Sequence, residues 1–253
     1  MASLVLRNVH VELPIFTSRS VGLINTIFNY ARWERKQIES VSRFSFIVHA
    51  LKGVTLDIRD GDRVALIGRN GAGKTTLLRV LSGAYEPTDG VIDRSGSTTA
   101  LTNITLGMDM DASGYDNIRM RAIQMDLSRP EEQALQDDVV AFTELGDHLA
   151  LPVRTYSSGM LLRLAFALSV STAPEILLMD EMISAGDAKF VDKAHARLTK
   201  MMDQAKILVL ASHHESILRQ FCHRGLYLRE GQVVFDGPLE ECLSEYSRSE
   251  AGA

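Results

Sequence analysis

Residues 4–13 and 51–59 alternate apolar and polar side chains, the period of half-buried antiparallel strands, and Asp60, Gly61 and Asp62 supply a turn after the second run. Between these runs, residues 17–46 carry Leu23, Ile24, Ile27, Phe28 and Ala31 at helical spacing, followed by Arg32, Trp33, Arg35, Lys36 and Arg43. The pattern predicts an inserted segment there, helical and locally basic. Residues 63–68 form a short apolar run ending on glycine, and residues 74–82 follow with helical spacing, which reads as strand, glycine-rich loop, helix. From about residue 114 to 172 the pattern is mostly helical, with Pro130, Glu131 and Glu132 as a helix start and Val139, Val140, Phe142 and Leu145 as apolar positions. That stretch is expected to be an inserted helical subdomain. Residues 176–180 and 206–211 hold continuous apolar runs bounded by polar residues, as in strands buried on both faces of a parallel sheet, and a helix expected over 188–202 connects them. Strands over 226–229 and 232–236, joined by a turn at Glu230 and Gly231, precede a short helix after Pro238.

Composition narrows the function classes. The chain has 253 residues, 45% hydrophobic and 23% charged, with 6 prolines, enough apolar material for one large domain and unlike a disordered chain. A formal charge of −5 argues against wholesale nucleic-acid binding, which draws on a basic surface to release counterions. Cys222 and Cys242 have no second pair and no ligand spacing, so neither a disulfide framework nor a zinc site is expected. The first residues lack a basic stretch followed by an apolar one, and no run of about 18 apolar residues occurs, so a secreted or membrane-spanning chain is not expected.

The chemistry begins at Gly68-Arg69-Asn70-Gly71-Ala72-Gly73-Lys74-Thr75, followed by Thr76, which fits the phosphate-binding P-loop pattern between an expected strand and an expected helix. Glycines let backbone N–H groups turn inward around phosphate oxygens, and the helix N-terminus adds a favourable dipole. Lys74 is placed to reach the β- and γ-phosphates, and the Thr75 hydroxyl to ligate Mg²⁺. The apolar run ending in Met179 places Asp180 at a strand end, where it could hold Mg²⁺, and Glu181 just beyond, where it could polarise a water. Taken alone, this Asp-Glu pair could equally cap a following helix. Tyr156-Ser157-Ser158-Gly159-Met160, before an apolar stretch from Leu161 to Leu168, reads in isolation as an N-cap and a buried helix.

In their order along the chain, the P-loop, the Ser157-Ser158-Gly159 segment, Asp180-Glu181, Ser184-Ala185-Gly186-Asp187 and Ser212-His213 resemble an ATP-binding-cassette ATPase over nearly the whole length. The resemblance implies one α/β domain over 1–253, a P-loop NTPase fold with a RecA-like core, an antiparallel β subdomain and an α-helical signature subdomain. It implies ATP and Mg²⁺ as cofactors, with Gly68, Asn70, Gly71, Ala72, Gly73, Lys74, Thr75 and Thr76 on the nucleotide, and Thr75 and Asp180 on the metal. Glu181 would be the general base, His213 the switch histidine at the γ-phosphate, and Asp187 the aspartate that crosses to the opposite subunit. His214 is expected to be solvated or packed. The family's head-to-tail homodimer would place Ser157, Ser158 and Gly159 on the partner's nucleotide.

Within the family, Tyr156 to Met160, the 184–187 stretch and Leu106 to Ile118 look like the subgroup that exports O-antigen, capsule, teichoic acid or galactan. That implies a separate polytopic membrane permease, a lipid-linked polysaccharide reached only indirectly, no nucleic acid, and a place at the cytoplasmic face of the inner membrane. Residues 17–46 would then face the membrane partner or lipid headgroups. Two positions depart from the family pattern. Leu13 stands where an aromatic residue usually stacks on adenine, with Phe16 as the candidate in its place, and the usual metal-linking glutamine is missing near Asn103, its candidate substitute. The chain ends soon after Cys242, so no C-terminal carbohydrate-binding domain is expected. A soluble cassette protein acting on DNA or ribosomes is the alternative, and a small-molecule kinase would leave the 157–159 and 212–213 motifs without a role.

Overall fold

The computed structural model describes residues 1–16, 38–42, 45–102, 105, 107–180 and 188–251. Two sheets carry the first of two compact units, which spans residues 1–102, 175–181 and 206–253. Strands β1 (Ser3–Phe16), β2 (Ile38–Ser42), β3 (Ser45–Arg59) and, further along, β5 (Asp89–Ser95) form an antiparallel sheet in the order β2-β3-β1-β5. Strand β4 (Arg63–Ile67) leads through the glycine-rich loop into helix α1 (Lys74–Leu81). With β6 (Thr98–Leu101), β7 (Ile176–Asp180), β8 (Ile207–Ala211), β9 (Arg224–Arg229) and β10 (Gln232–Pro238), β4 builds a second sheet in the order β10-β9-β4-β8-β7-β6. All its pairings are parallel except that of β10 with β9.

The continuous apolar runs are explained by position. Strands β4, β7 and β8 lie inside the second sheet, and Leu66, Leu178 and Val209 are fully buried. Leu4, Leu6 and Ile58 of the antiparallel sheet join Leu77 and Leu81 of α1 and Val64 and Leu226 of the parallel sheet in one core. Burying each such side chain contributes roughly 1.5–3 kcal/mol, which holds both sheets and α1 as a single frame for the loop between β4 and α1. Helix α6 (Glu215–Phe221) and the C-terminal helix α7 (Leu239–Ala251) complete this unit.

The second unit, residues 103–174 and 182–205, is helical: α2 (Gly114–Gln124), α3 (Arg129–Thr143), two short 3₁₀ turns, α4 (Ser158–Ser169) and α5 (Ala188–Gln204). Helices α2 and α3 each start with a capping box, Ser113 with Asp116 and Ser128 with Glu131, which satisfies amides that the helix itself leaves open. Phe142, Phe166 and Phe190, one from each of α3, α4 and α5, pack with ring centroids 5.5–6.1 Å apart. The guanidinium of Arg197 lies over the Phe142 ring and pairs with Asp138. This aromatic trio is why α5, which the sequence reading treats as a connector between strands, belongs to the helical unit.

One expectation needs correction. The second strand, expected from Leu51, starts at Ser45, and the last part of the 17–46 segment, beyond its helical and basic stretches, is β-structure in which β2 pairs antiparallel with β3. Phe46, Ile47 and Val48 are β-branched or aromatic residues that extend the pairing with β1 through Ile15↔Phe46 and Leu13↔Val48. The helical spacing at Leu23 to Ala31 and the basic run from Arg32 to Lys36 lie outside the described residues.

Candidate functional site

The loop from Gly68 to Gly73 is shaped by close backbone approaches. A Cβ on Gly68 would sit 2.3 Å from the Leu228 carbonyl oxygen, and one on Gly73 would sit 2.7 Å from that of Ala50. Gly73 also has φ 105°, a conformation that side chains other than glycine's rarely take. The loop is therefore wedged between β3 and β9, and the Gly231 amide donates to the Ala72 carbonyl at 3.0 Å. Helix α1 starts on Gly73 with no side-chain cap and no acidic residue in its first turn. Its first amides have no acceptor within the helix, so this N-terminus favours an anion.

Lys74 Nζ donates to the carbonyl oxygens of Gly68 at 2.6 Å and Arg69 at 3.0 Å, which folds the ammonium across the loop's mouth. The Thr75 hydroxyl donates to Asp180 Oδ2 at 2.6 Å, joining the start of α1 to the end of β7. A hydroxyl and a carboxylate this close are a partial oxygen set for a hard cation. Among the described residues no group of three or more His, Cys, Asp or Glu side chains converges, so a cation here would take its remaining ligands from phosphate oxygens and water. That donor set suits Mg²⁺, which keeps several waters and binds through one or two protein oxygens plus phosphate.

Around the loop opens a cleft of about 470 Å³. Asn70, Gly71, Gly73 and residues 74–76 line it together with Asp180 and His213, and Leu13, Val48 and Ala50 give it an apolar wall. A phosphate-cradling loop and an apolar wall in one cleft match a nucleotide. The structure thus brings Gly68, Asn70, Gly71, Ala72, Gly73, Lys74, Thr75, Thr76, Asp180 and His213 into one site. Leu13 is on the wall where the sequence reading located it. Val48 and Ala50 were not foreseen, because only the β1–β3 register sets them beside Leu13. Phe16 ends β1 opposite Ser45, and its side chain lies outside the described residues, as do Asn103, Glu181 and Asp187.

In the helical unit, Ser157 is the N-cap of α4 and its hydroxyl accepts from the Met160 amide at 3.3 Å. Ser157, Ser158 and Gly159 are exposed, while residues 164–168 are buried. A Cβ on Gly159 would meet nothing within 4 Å, so the fold of this chain does not itself demand glycine there.

The comparisons with known proteins agree with this geometry. The family model described as "ABC transporter" matches residues 51–184. The chain is 40% identical over 233 residues to the O-antigen export system ATP-binding protein RfbE of Yersinia enterocolitica, covering 92% of this chain and 97% of that protein. It is 38% identical to the O-antigen export system ATP-binding protein RfbB of Myxococcus xanthus, over 85% of this chain and 49% of that one. It is 37% identical to the teichoic acids export ATP-binding protein TagH of Lactococcus lactis, over 79% and 42%. The chain therefore spans nearly all of the Yersinia relative but half or less of the other two. Among solved structures, a dimeric ATP-binding cassette bound to ADP and phosphate superposes with a TM-score of 0.64 at 20% identity, over 93% of this chain and 98% of that one. An ABC transporter ATP-binding subunit reaches 0.67 at 19% identity, over 96% and 93%. With a cleft built around its own P-loop, a family model across half its length and one relative aligned nearly end to end at 40% identity, this chain belongs to the ABC transporter family as an ATP-binding cassette ATPase.

Proposed function

We propose that this chain is the ATP-hydrolysing subunit of an exporter of lipid-linked polysaccharide, acting as a head-to-tail homodimer on two copies of a separate membrane permease at the cytoplasmic face of the inner membrane. The observation that carries the export reading is the alignment with an O-antigen export ATP-binding protein over nearly the full length of both chains. No helix among the described residues is long and apolar enough to cross a membrane.

In this reading residues 1–253 act as one ATPase domain. The loop amides and Lys74 bind the β- and γ-phosphates, and the base lies against Leu13, Val48 and Ala50, with Phe16 a further candidate. Thr75 and Asp180 would hold Mg²⁺, with Asn103 as a candidate link, and the ion would supply charge neutralisation of the phosphate oxygens. Glu181 accepts a proton from the attacking water, and His213 donates a hydrogen bond to the γ-phosphate. Ser157, Ser158 and Gly159 meet the γ-phosphate bound to the partner subunit, and Asp187 crosses the same interface. An exposed helix N-terminus with open space at Gly159 supports this assignment, since a phosphate approaching from another subunit needs that room. Loss of the γ-phosphate removes the ligand both subunits share, so ATP closes the dimer and hydrolysis opens it.

The test is ATP turnover of the purified chain, alone and with its membrane subunit in lipid, with and without a lipid-linked glycan. Glycan-dependent turnover supports the export reading; turnover that responds to DNA or ribosomes and ignores the permease would replace it with the clamp alternative. Glu181→Gln is expected to retain ATP, lose turnover and trap an ATP-bound dimer on size-exclusion chromatography. Hydrolysis by that variant at the wild-type rate would remove Glu181 from the role of base.

A further inference from the structure

The P-loop pattern leaves the position after its first glycine open to any residue, yet here that residue, Arg69, is engaged by the far end of the chain. Helix α7 follows the edge strand β10 and places Leu239, Cys242 and Leu243 on a buried face. It approaches β9 closely: a Cβ on Gly225 would lie 2.5 Å from Cys242 Cβ. One helical turn later the Tyr246 ring packs edge-on against Tyr227 with centroids 5.4 Å apart, and the Ser249 and Tyr227 hydroxyls share a hydrogen bond of 2.7 Å. Tyr227 pairs with Ile67, the last residue of β4, so the final turn of α7 arrives beside the first residues of the loop. There Glu250 Oε2 meets Arg69 Nε at 3.1 Å. Glu250 is seven residues on from Leu243 and four from Tyr246, so it continues the stripe that packs on the sheet.

Arg69 matters to the loop through its backbone. Its carbonyl oxygen accepts both from the Ala72 amide, closing the turn, and from Lys74 Nζ. Any rotation of the Arg69 peptide therefore moves the lysine that faces the phosphates. We propose that α7 is a brace for the phosphate loop, in which Glu250 acts through Arg69 as a positioning residue for nucleotide binding. The proposal rests on the ATPase reading of the P-loop. The pair is partly exposed, 51% at Arg69 and 32% at Glu250, so its effect is moderate and is screened by salt.

The test is titration of the full chain with a fluorescent ATP analogue and Mg²⁺, alongside thermal unfolding. Glu250→Ala and Arg69→Ala are each expected to weaken binding about 2- to 5-fold. The double variant should lose no more than either single change, and the reversed pair, Arg69→Glu with Glu250→Arg, should recover most of the loss. Where turnover is measured, KM for ATP should rise with kcat unchanged, and the thermal midpoint should stay near wild type, which separates positioning from a general loss of fold. Wild-type binding by Glu250→Ala, additive losses in the double variant, or no recovery in the reversed pair would overturn the brace. Failure of the wild-type chain to bind the analogue would instead overturn the ATPase reading, and the brace's role with it.

Discussion

Leu13 shows how one side chain sets the character of a binding wall. With Val48 and Ala50 it forms an aliphatic wall of the cleft, the surface on which the proposed function seats the base. Leu13→Tyr is expected to tighten ATP binding about 2- to 10-fold, the stacking term of an added aromatic, measured by equilibrium titration. An unchanged affinity would place the base elsewhere. The two cysteines make a different point at the same scale. Burial pushes the thiols of Cys222 and Cys242 up to about 12, so almost no thiolate exists near pH 8. Neither should react with iodoacetamide in the native chain, whereas both should after denaturation, as read by mass spectrometry. Fast native labelling of Cys242 would mean that α7 leaves β9 readily.

Helix α4 carries an apolar body under an exposed N-terminus, and its two halves should respond oppositely to mutation. Because a Cβ at Gly159 meets nothing in this chain, Gly159→Ala is expected to leave stability unchanged or raise it by up to about 1 kcal/mol, the difference in helix propensity. Turnover should nevertheless fall, since the added methyl would stand where the partner's nucleotide approaches; retention of both stability and turnover would detach Gly159 from the reaction. Phe166→Ala, in the buried half, removes the ring that joins α3, α4 and α5, and is expected to cost about 3–5 kcal/mol by denaturant unfolding. The capping boxes are a second device of this scale. Ser128 donates to Glu131 at 2.5 Å and holds that carboxyl below the usual range, as Ser113 does for Asp116. These bonds fix where α3 and α2 begin.

Across the whole molecule, Asp57, Asp116, Glu131 and Glu175 all have lowered carboxyl values, caused first by hydrogen bonds from Arg59, Ser113, Ser128 and Lys206 respectively. Their native values lie below the unfolded ones, so their contribution is fully present above the ordinary carboxylate range and is lost as pH falls through the lowered values. The thermal midpoint should therefore hold from neutrality to about pH 5 and decline below about pH 4, and a maximum near pH 4 would contradict these pairs. Much of this molecule was legible beforehand. The P-loop, Asp180 and the Ser157 cap were readable because phosphate cradling and helix capping are local, needing only a few adjacent residues in the right order. The central strands were readable because burial on both faces leaves an unbroken apolar run at residues 176–179 and 207–211. Strands β5 and β6 were not, since Gly90 and the 64%-exposed Val91 blur the alternation at a sheet edge. Nor could the helical spacing at Leu23 to Ala31 announce that residues 38–42 would pair with β3. The sequence by itself determined where the glycine-rich loop stands between strand and helix and which segments form the core. Only the tertiary structure decided that Leu13 faces Val48 and Ala50, that α5 joins the helical unit through Phe190, and that Glu250 reaches Arg69. Periodicity records which face of an element is buried, whereas neighbours across strands and between distant segments follow from register and packing, which no local pattern encodes.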